Sequence, residues 1–184
     1  MPEGIIILGS AGSGKTSLGH LVASGLGFAH LDIDDYLWRT DTTLPFSVMY
    51  SKSERIQGLR AAADDAGEFV MSGSMNSFHE YFDSMFLLAV SLTADTKLRL
   101  KRIHDREFTK FGARILPGGD MYQAHQRFLE DAAGYDHGAV SCNSQQHELW
   151  LSQLACPILR LDGGEKLEFN AETVMTEYRK IKMG

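Results

Sequence analysis

Eight consecutive residues, Gly9-Ser10-Ala11-Gly12-Ser13-Gly14-Lys15-Thr16, constrain this chain more than any others. They fit Gly-x-x-x-x-Gly-Lys-[Ser/Thr] at every fixed position, between an apolar run, Ile5 to Leu8, and helical spacing from Lys15 to Ser24. Phosphate chemistry explains the residue types. Small side chains let successive backbone N–H groups curl around phosphate oxygens, and the following helix aims its positive end at them. Lys15 brings an ammonium to the β- and γ-phosphates of a nucleotide, and the Thr16 hydroxyl is a ligand for Mg²⁺. The expected nucleotide contacts are therefore Gly9, Ser10, Ala11, Gly12, Ser13, Gly14, Lys15, Thr16 and Ser17, with ATP and Mg²⁺ as cofactors.

An apolar run without alternation predicts a central parallel strand, buried on both faces. Phe28 to Leu31, Phe69 to Met71, Phe86 to Val90 and Pro157 to Leu161 read as further strands. Helical spacing covers Ser53 to Ala66, Thr93 to Arg106, Met121 to Ala133, His147 to Leu154 and Ala171 to Ile181. Alternating strands and helices predict an α/β fold: a three-layer αβα sandwich around a five-stranded parallel sheet, in one domain over residues 1–184. Phe108 to Asp120 contains Gly112, Pro117, Gly118 and Gly119 and reads as a loop.

Phosphate loops serve motors, switches and kinases alike, so the other strand ends must discriminate. Motors and GTPases hold Mg²⁺ with an acid after an apolar strand. Here the third strand runs into Ser72-Gly73-Ser74 and the fourth into Ser91-Leu92, and there is no Asn-Lys-x-Asp. The acids follow the second strand instead, as Asp32-Ile33-Asp34-Asp35. Ligands bind at the carboxyl ends of parallel strands, which puts these carboxylates beside the phosphate loop. Two tasks suit them: holding Mg²⁺, directly or through water, and taking the proton of an attacking hydroxyl. Asp32 is expected at the metal and Asp34 at the hydroxyl, while Asp35 caps a helix or faces solvent. The competing reading is an ATPase that couples hydrolysis to a conformational change in a macromolecular partner. The missing strand-end acid counts against it, as does the net charge of −6, which also disfavours nucleic acid.

At Gly9 to Thr16, Asp32-Ile33-Asp34 and Ser72-Gly73-Ser74 the chain resembles small P-loop metabolite kinases of the shikimate kinase, gluconate kinase and adenylate kinase type, within the P-loop NTPase superfamily. The resemblance implies transfer of the γ-phosphoryl group of ATP to a small metabolite, nucleotide or antibiotic. It also implies that the acceptor packs on the turn at Gly73. Shikimate kinases carry three glycines in that turn, and Ser72-Gly73-Ser74 departs from them. Kinases of this group grip the acceptor's anion with an arginine on the helix after the Asp pair, where Arg55 and Arg60 stand here. They also close a mobile arginine-bearing lid between the fourth and fifth strands, here about residues 106–120. Arg106 and Arg114 become candidate catalytic residues, and Arg99 and Arg102 charges of the lid stem. Arg160 to Gly164 is then the segment beside adenine.

The charge pattern agrees with an anionic ligand. Seven of the 18 Lys and Arg residues fall between Lys97 and Arg114, opposed only by Asp105 and Glu107. If Tyr36, Trp38, Tyr50 and the His79 to Phe82 segment line the acceptor pocket, a ring-bearing acceptor is favoured over a sugar acid. His104 and His125 read as surface or partly packed residues, and no histidine pair has metal-ligand spacing. Cys142 and Cys156 form neither a disulfide framework nor a metal motif, and Ile5 to Leu8 is too short for a membrane span. A cytoplasmic protein is expected, with a small-molecule partner and neither nucleic acid nor membrane; the sequence is silent on oligomeric state.

Overall fold

The computed structural model describes residues 1–138, 140 and 142–184. Five strands make one sheet: β1 (Glu3–Leu8), β2 (Ala29–Asp32), β3 (Glu68–Ser72), β4 (Phe86–Thr93) and β5 (Ile158–Asp162). All neighbours are parallel, in the order β2-β3-β1-β4-β5. β1 lies at the centre, which is why Ile5, Ile6, Ile7 and Leu8 are all fully buried and why the segment carries no polar alternation.

The two faces of β1 feed two cores. Ile6 and Leu8 pack with Leu59 and Ala63 of α3 (Lys52–Ala66) and with Trp150 and Leu151 of α6 (Ser144–Gln153). Ile5 and Ile7 pack with Leu18 and Val22 of α1 (Lys15–Leu26) and with Val174 and Tyr178 of α7 (Leu167–Met183). A four-residue helix, α2 (Asp34–Leu37), follows β2 directly, and α4 (Thr96–Phe111) packs beside α5 (Tyr122–Gly134). Helix starts follow capping chemistry. Ser51 and Glu54 form a reciprocal capping box on α3, and Asp95 accepts from the N–H groups of Lys97 and Leu98 at α4.

The largest departure from the sequence reading lies after β4. Helix α4 continues past Arg106 to Phe111, a 3-10 turn covers Gly112–Ile115, and α5 begins at Tyr122. The glycines and proline there suggest an open loop, but Ile115 and Met121 are buried and anchor the segment. Arg114 makes a two-pronged ion pair with Asp120, at 2.9 and 2.7 Å, across this turn.

Arg99 is the second departure: it is no stem charge but fully buried. Its guanidinium donates to the carbonyls of Ala94 and Ala132, to Thr96 Oγ1 and to Asp136 Oδ2, and lies over the Tyr135 ring. Five donors in a fixed fork allow one arginine to satisfy so many acceptors. The backbone of the phosphate loop leans on the same residue. Gly12 has φ +77°, and a Cβ there would stand 2.5 Å from the Arg99 carbonyl oxygen. Replacing Arg99 by Met keeps length but leaves the Ala94 and Ala132 carbonyls without this donor and removes the cation from Asp136, which keeps only the Thr96 hydroxyl. Urea unfolding of this variant should show a loss of about 3 kcal/mol, the lower end for a broken buried pair because Asp136 keeps access to water.

Candidate active site

The carboxyl ends of β1, β2 and β3 converge on the phosphate loop. Lys15 opens α1, and its Nζ donates to the Ser10 carbonyl at 2.8 Å, so the side chain folds back over the loop. Desolvation lowers its proton affinity, while the charges of Asp34 and Asp32 hold it up. Ser13 Oγ is buried inside the loop and, among the described residues, has no hydrogen-bond partner. A polar atom so placed marks a cradle suited to an acceptor-rich ligand such as phosphate. Thr16 and Ser17 remain exposed on the first turn of α1.

Asp32 ends β2, and its Oδ1 accepts the N–H of Asp34 at 3.1 Å. The Ile33 N–H bonds to the Ser72 carbonyl, fastening this acidic corner to the end of β3. Asp34 opens α2 and is exposed. Desolvation, then the adjacent Asp32 charge, push its proton affinity up, whereas Lys15 and Arg106 pull it down. Arg106 thus acts on Lys15 and Asp34 together, while Arg114 is taken by Asp120. Asp35 shares the first turn of α2 and is exposed.

The turn after β3 is tightly made. Gly73 has φ +136°, and a Cβ there would meet Ile33 Cβ at 2.8 Å. Both the backbone conformation and the room therefore require glycine. On one side, Ser72 Oγ pairs with His30 Nε2 at 2.9 Å. On the other, Ser74 enters a chain of neutral groups. Its hydroxyl donates to Asn76 Oδ1, so it accepts from His147 Nε2–H at 2.9 Å, and His147 Nδ1 accepts from the Tyr135 hydroxyl at 2.7 Å. Burial pushes His147 down to about 4, aided by the Lys15 charge, so the imidazole stays neutral. Cys142 Sγ lies 3.5 Å from both His147 Nε2 and Ser74 Oγ.

The two helix arginines separate clearly. Arg60 pairs with Asp64 at 3.3 Å on the exposed face of α3. The Arg55 guanidinium lies 5.4 Å from the centre of the buried Phe78 ring, one helical turn into α3 and beside the segment after β3. Arg102, read as a stem charge, instead donates to the Gly163 carbonyl at 2.9 Å and the Ser13 carbonyl at 3.4 Å, tying the turn after β5 to the phosphate loop. His125, expected at the surface or partly packed, is buried and bridges Glu107 and His104.

Sequence reasoning missed Arg99, Arg102 and His147. Helical phase carried a signal for two of them: Arg99 shares the face of Ile103, and His147 that of Trp150 and Leu151. Nothing local pointed to Arg102, whose partners lie 61 and 89 residues away.

No family model matches the chain. Its fold is that of the P-loop small-molecule kinases. Shikimate kinase from Bacteroides thetaiotaomicron superposes with a TM-score of 0.60 at 15% identity, over 96% of this chain and 98% of that one. Shikimate kinase from Acinetobacter baumannii, solved with shikimate, gives 0.57 at 16% identity, over 99% and 96%. A gluconokinase from Sinorhizobium meliloti 1021 gives 0.52 at 16%, over 98% and 93%. Among curated proteins, "Uncharacterized protein YqaC" of Bacillus subtilis (strain 168) is 32% identical over 163 residues, 88% of this chain and 89% of its own. The chain belongs to the same family as YqaC.

The neutral His147 has a consequence for stability. An unfolded chain protonates this histidine near its ordinary 6.5, but the folded one resists until about 4. Because the folded value is the lower, its contribution is complete above 6.5 and is lost progressively as pH falls towards 4. The full span corresponds to on the order of 3 kcal/mol. His147→Gln should flatten the acid limb of a stability–pH curve measured by urea melts, with the two proteins converging as pH falls.

Proposed function

We propose that this chain is an ATP- and Mg²⁺-dependent phosphotransferase that passes the γ-phosphoryl group to a hydroxyl of a small molecule. The observation that carries this reading is the convergence of the phosphate loop after β1 and the Asp32–Asp34 corner after β2 on the turn after β3, whose Gly73 N–H bonds to the Ile7 carbonyl and whose Ser72 carbonyl accepts from Ile33. The kinase fold of the structural neighbours supports it, without naming an acceptor for this chain.

Acceptor hydroxyl, base and phosphate would meet at the carboxyl edge of the sheet. With the hydroxyl hydrogen-bonded to Asp34, its proton passes to that carboxylate as its oxygen bonds to phosphorus. The bond from phosphorus to the bridging oxygen of the departing ADP then breaks. A carboxylate whose proton affinity is raised is the better general base. Lys15 and Arg106 face the negative charge on the phosphoryl oxygens, where fixed cations out of water act most strongly. Arg55 supplies a charge for an acceptor anion, and Gly73 brings the turn backbone close to the acceptor. Thr16 and Asp32 would hold Mg²⁺, which neutralises phosphate charge when bound. Among the described residues no cluster of three or more His, Cys, Asp or Glu could enclose a metal ion. No described helix is long and apolar enough to cross a membrane. The acidic chain and its two free cysteines favour a cytoplasmic enzyme with a small-molecule partner.

Coupled measurement of ADP release, with a panel of hydroxylated metabolites, nucleosides and aminoglycosides, tests the proposal. Turnover should be slow alone and rise with an acceptor; turnover that rises only with a protein or nucleic acid would favour a motor instead. Lys15→Ala should remove the acceptor-stimulated rate while the melting temperature holds.

Asp34→Asn should lower kcat by about 10² to 10⁴ with nucleotide affinity little changed, because an amide accepts no proton. The same variant should melt higher at neutral pH. Since the folded Asp34 holds its proton more tightly than the unfolded one, its ionisation above its ordinary 3.8 costs the native state stability. Thermal melts of both proteins, at neutral pH and at pH near 3, check the sign.

A further inference from the structure

Four large apolar side chains, Leu44, Phe46, Val48 and Met49, are each 43–48% exposed within six residues. This stretch is not a slack loop. Trp38 and Met49 form an antiparallel bridge, the Arg39 N–H donates to the Val48 carbonyl, and the Tyr50 N–H to the Leu37 carbonyl, each at 2.9 Å. The result is a short ribbon growing out of α2, the helix that begins at Asp34.

Its tip is held in an unusual way. Phe46 has φ +58°, the one non-glycine residue with positive φ among those described. A phenylalanine resists that conformation, and such strain persists where surrounding contacts fix it. Trp38 meets the Phe46 ring edge-on at 6.0 Å, and the Lys110 ammonium lies 5.1 Å from the centre of the same ring. Lys110 sits in the last turn of α4, one turn beyond Arg106, and its charge also reaches Asp35. The ribbon therefore spans from the acidic corner after β2 to the end of the arginine-bearing helix, along the edge where an acceptor hydroxyl would reach Asp34.

The surface it offers is aromatic and aliphatic. Its one arginine, Arg39, is occupied by Asp41 at 2.9 and 2.7 Å. An acyclic polyol or sugar acid has no flat face to set on such a wall, whereas a planar ring stacks on it. Six residues are also far fewer than the roughly 20–30 per side of a stable protein interface.

We propose that the ribbon from Trp38 to Tyr50 is the specificity element of the acceptor site. The acceptor carries a planar aromatic or heteroaromatic ring that stacks on Trp38 and meets the perpendicular Phe46 ring edge-on while its hydroxyl meets Asp34. This rests on the phosphotransferase reading and narrows its acceptor to one chemical class.

Tryptophan fluorescence tests it with the full chain. Of the two tryptophans, Trp150 is buried with its indole N–H donated to Asp83, and gives a constant background; Trp38 reports on the ribbon. The probes are adenosine, cytidine and thymidine against gluconate and shikimate, each with and without a non-hydrolysable ATP analogue and Mg²⁺. At least one nucleoside should quench saturably with a midpoint below about 1 mM, the usual ceiling for a substrate. By calorimetry, Trp38→Phe should bind that nucleoside within about threefold of the parent, and Trp38→Ala about tenfold more weakly. Saturable quenching by the sugar acids alone, or by none of the compounds, would overturn the proposal. Calorimetry of the ATP analogue on the parent and Lys15→Ala proteins reports separately. Loss of nucleotide binding in the parent would sink the phosphotransferase reading whatever the quench.

Discussion

The closeness with which backbone approaches backbone around the phosphate loop governs the rest of this structure. At Gly12 there is no room for a side chain against the Arg99 carbonyl, and at Gly9 a Cβ would overlap the carbonyl oxygen of Leu92. The loop is thus clamped between the end of β4 and the first turn of α4. The Arg99 side chain holds that turn in place by reaching Ala94, Ala132 and Asp136. One buried cation fixes the floor under the phosphate loop, and its burial is compensated by four hydrogen bonds and the Asp136 carboxylate.

From that floor a second set of contacts runs towards the turn after β3. Arg99 lies over Tyr135, Tyr135 donates to His147, and His147 donates to Ser74 in the turn after β3. The groups between the two ends are neutral, so their hydrogen bonds hold one direction throughout the physiological pH range. The first turn of α4 and the turn after β3 are thereby parts of one packed unit, although the residues involved come from four separate stretches of sequence.

Opposed to this rigidity is the charge arrangement at the strand ends. Asp32 and Asp34 lie two residues apart, and desolvation and mutual repulsion load Asp34 against ionisation. Lys15 is loaded the other way by its own burial. Such strain costs folding stability and suits proton and phosphoryl transfer, a pattern common where function and stability compete.

The sequence by itself determined the sheet, the phosphate loop and the position of the acidic corner. These are local: an unbroken apolar run buries on both faces, glycine spacing sets a turn, and strand ends define one edge of the sheet. The tertiary structure decided what each charge does. Arg60, Arg114 and Arg99 look alike in the sequence, yet one pairs along its helix, one across a turn, and one is buried. It also turned the first half of the glycine-rich stretch after Phe108 into a helix end and a 3-10 turn, with Pro117 to Gly119 left in turns, because Ile115 and Met121 found a core to enter. Side-chain partners 61 to 89 residues distant, as for Arg102, are set by packing alone, and no local pattern encodes them.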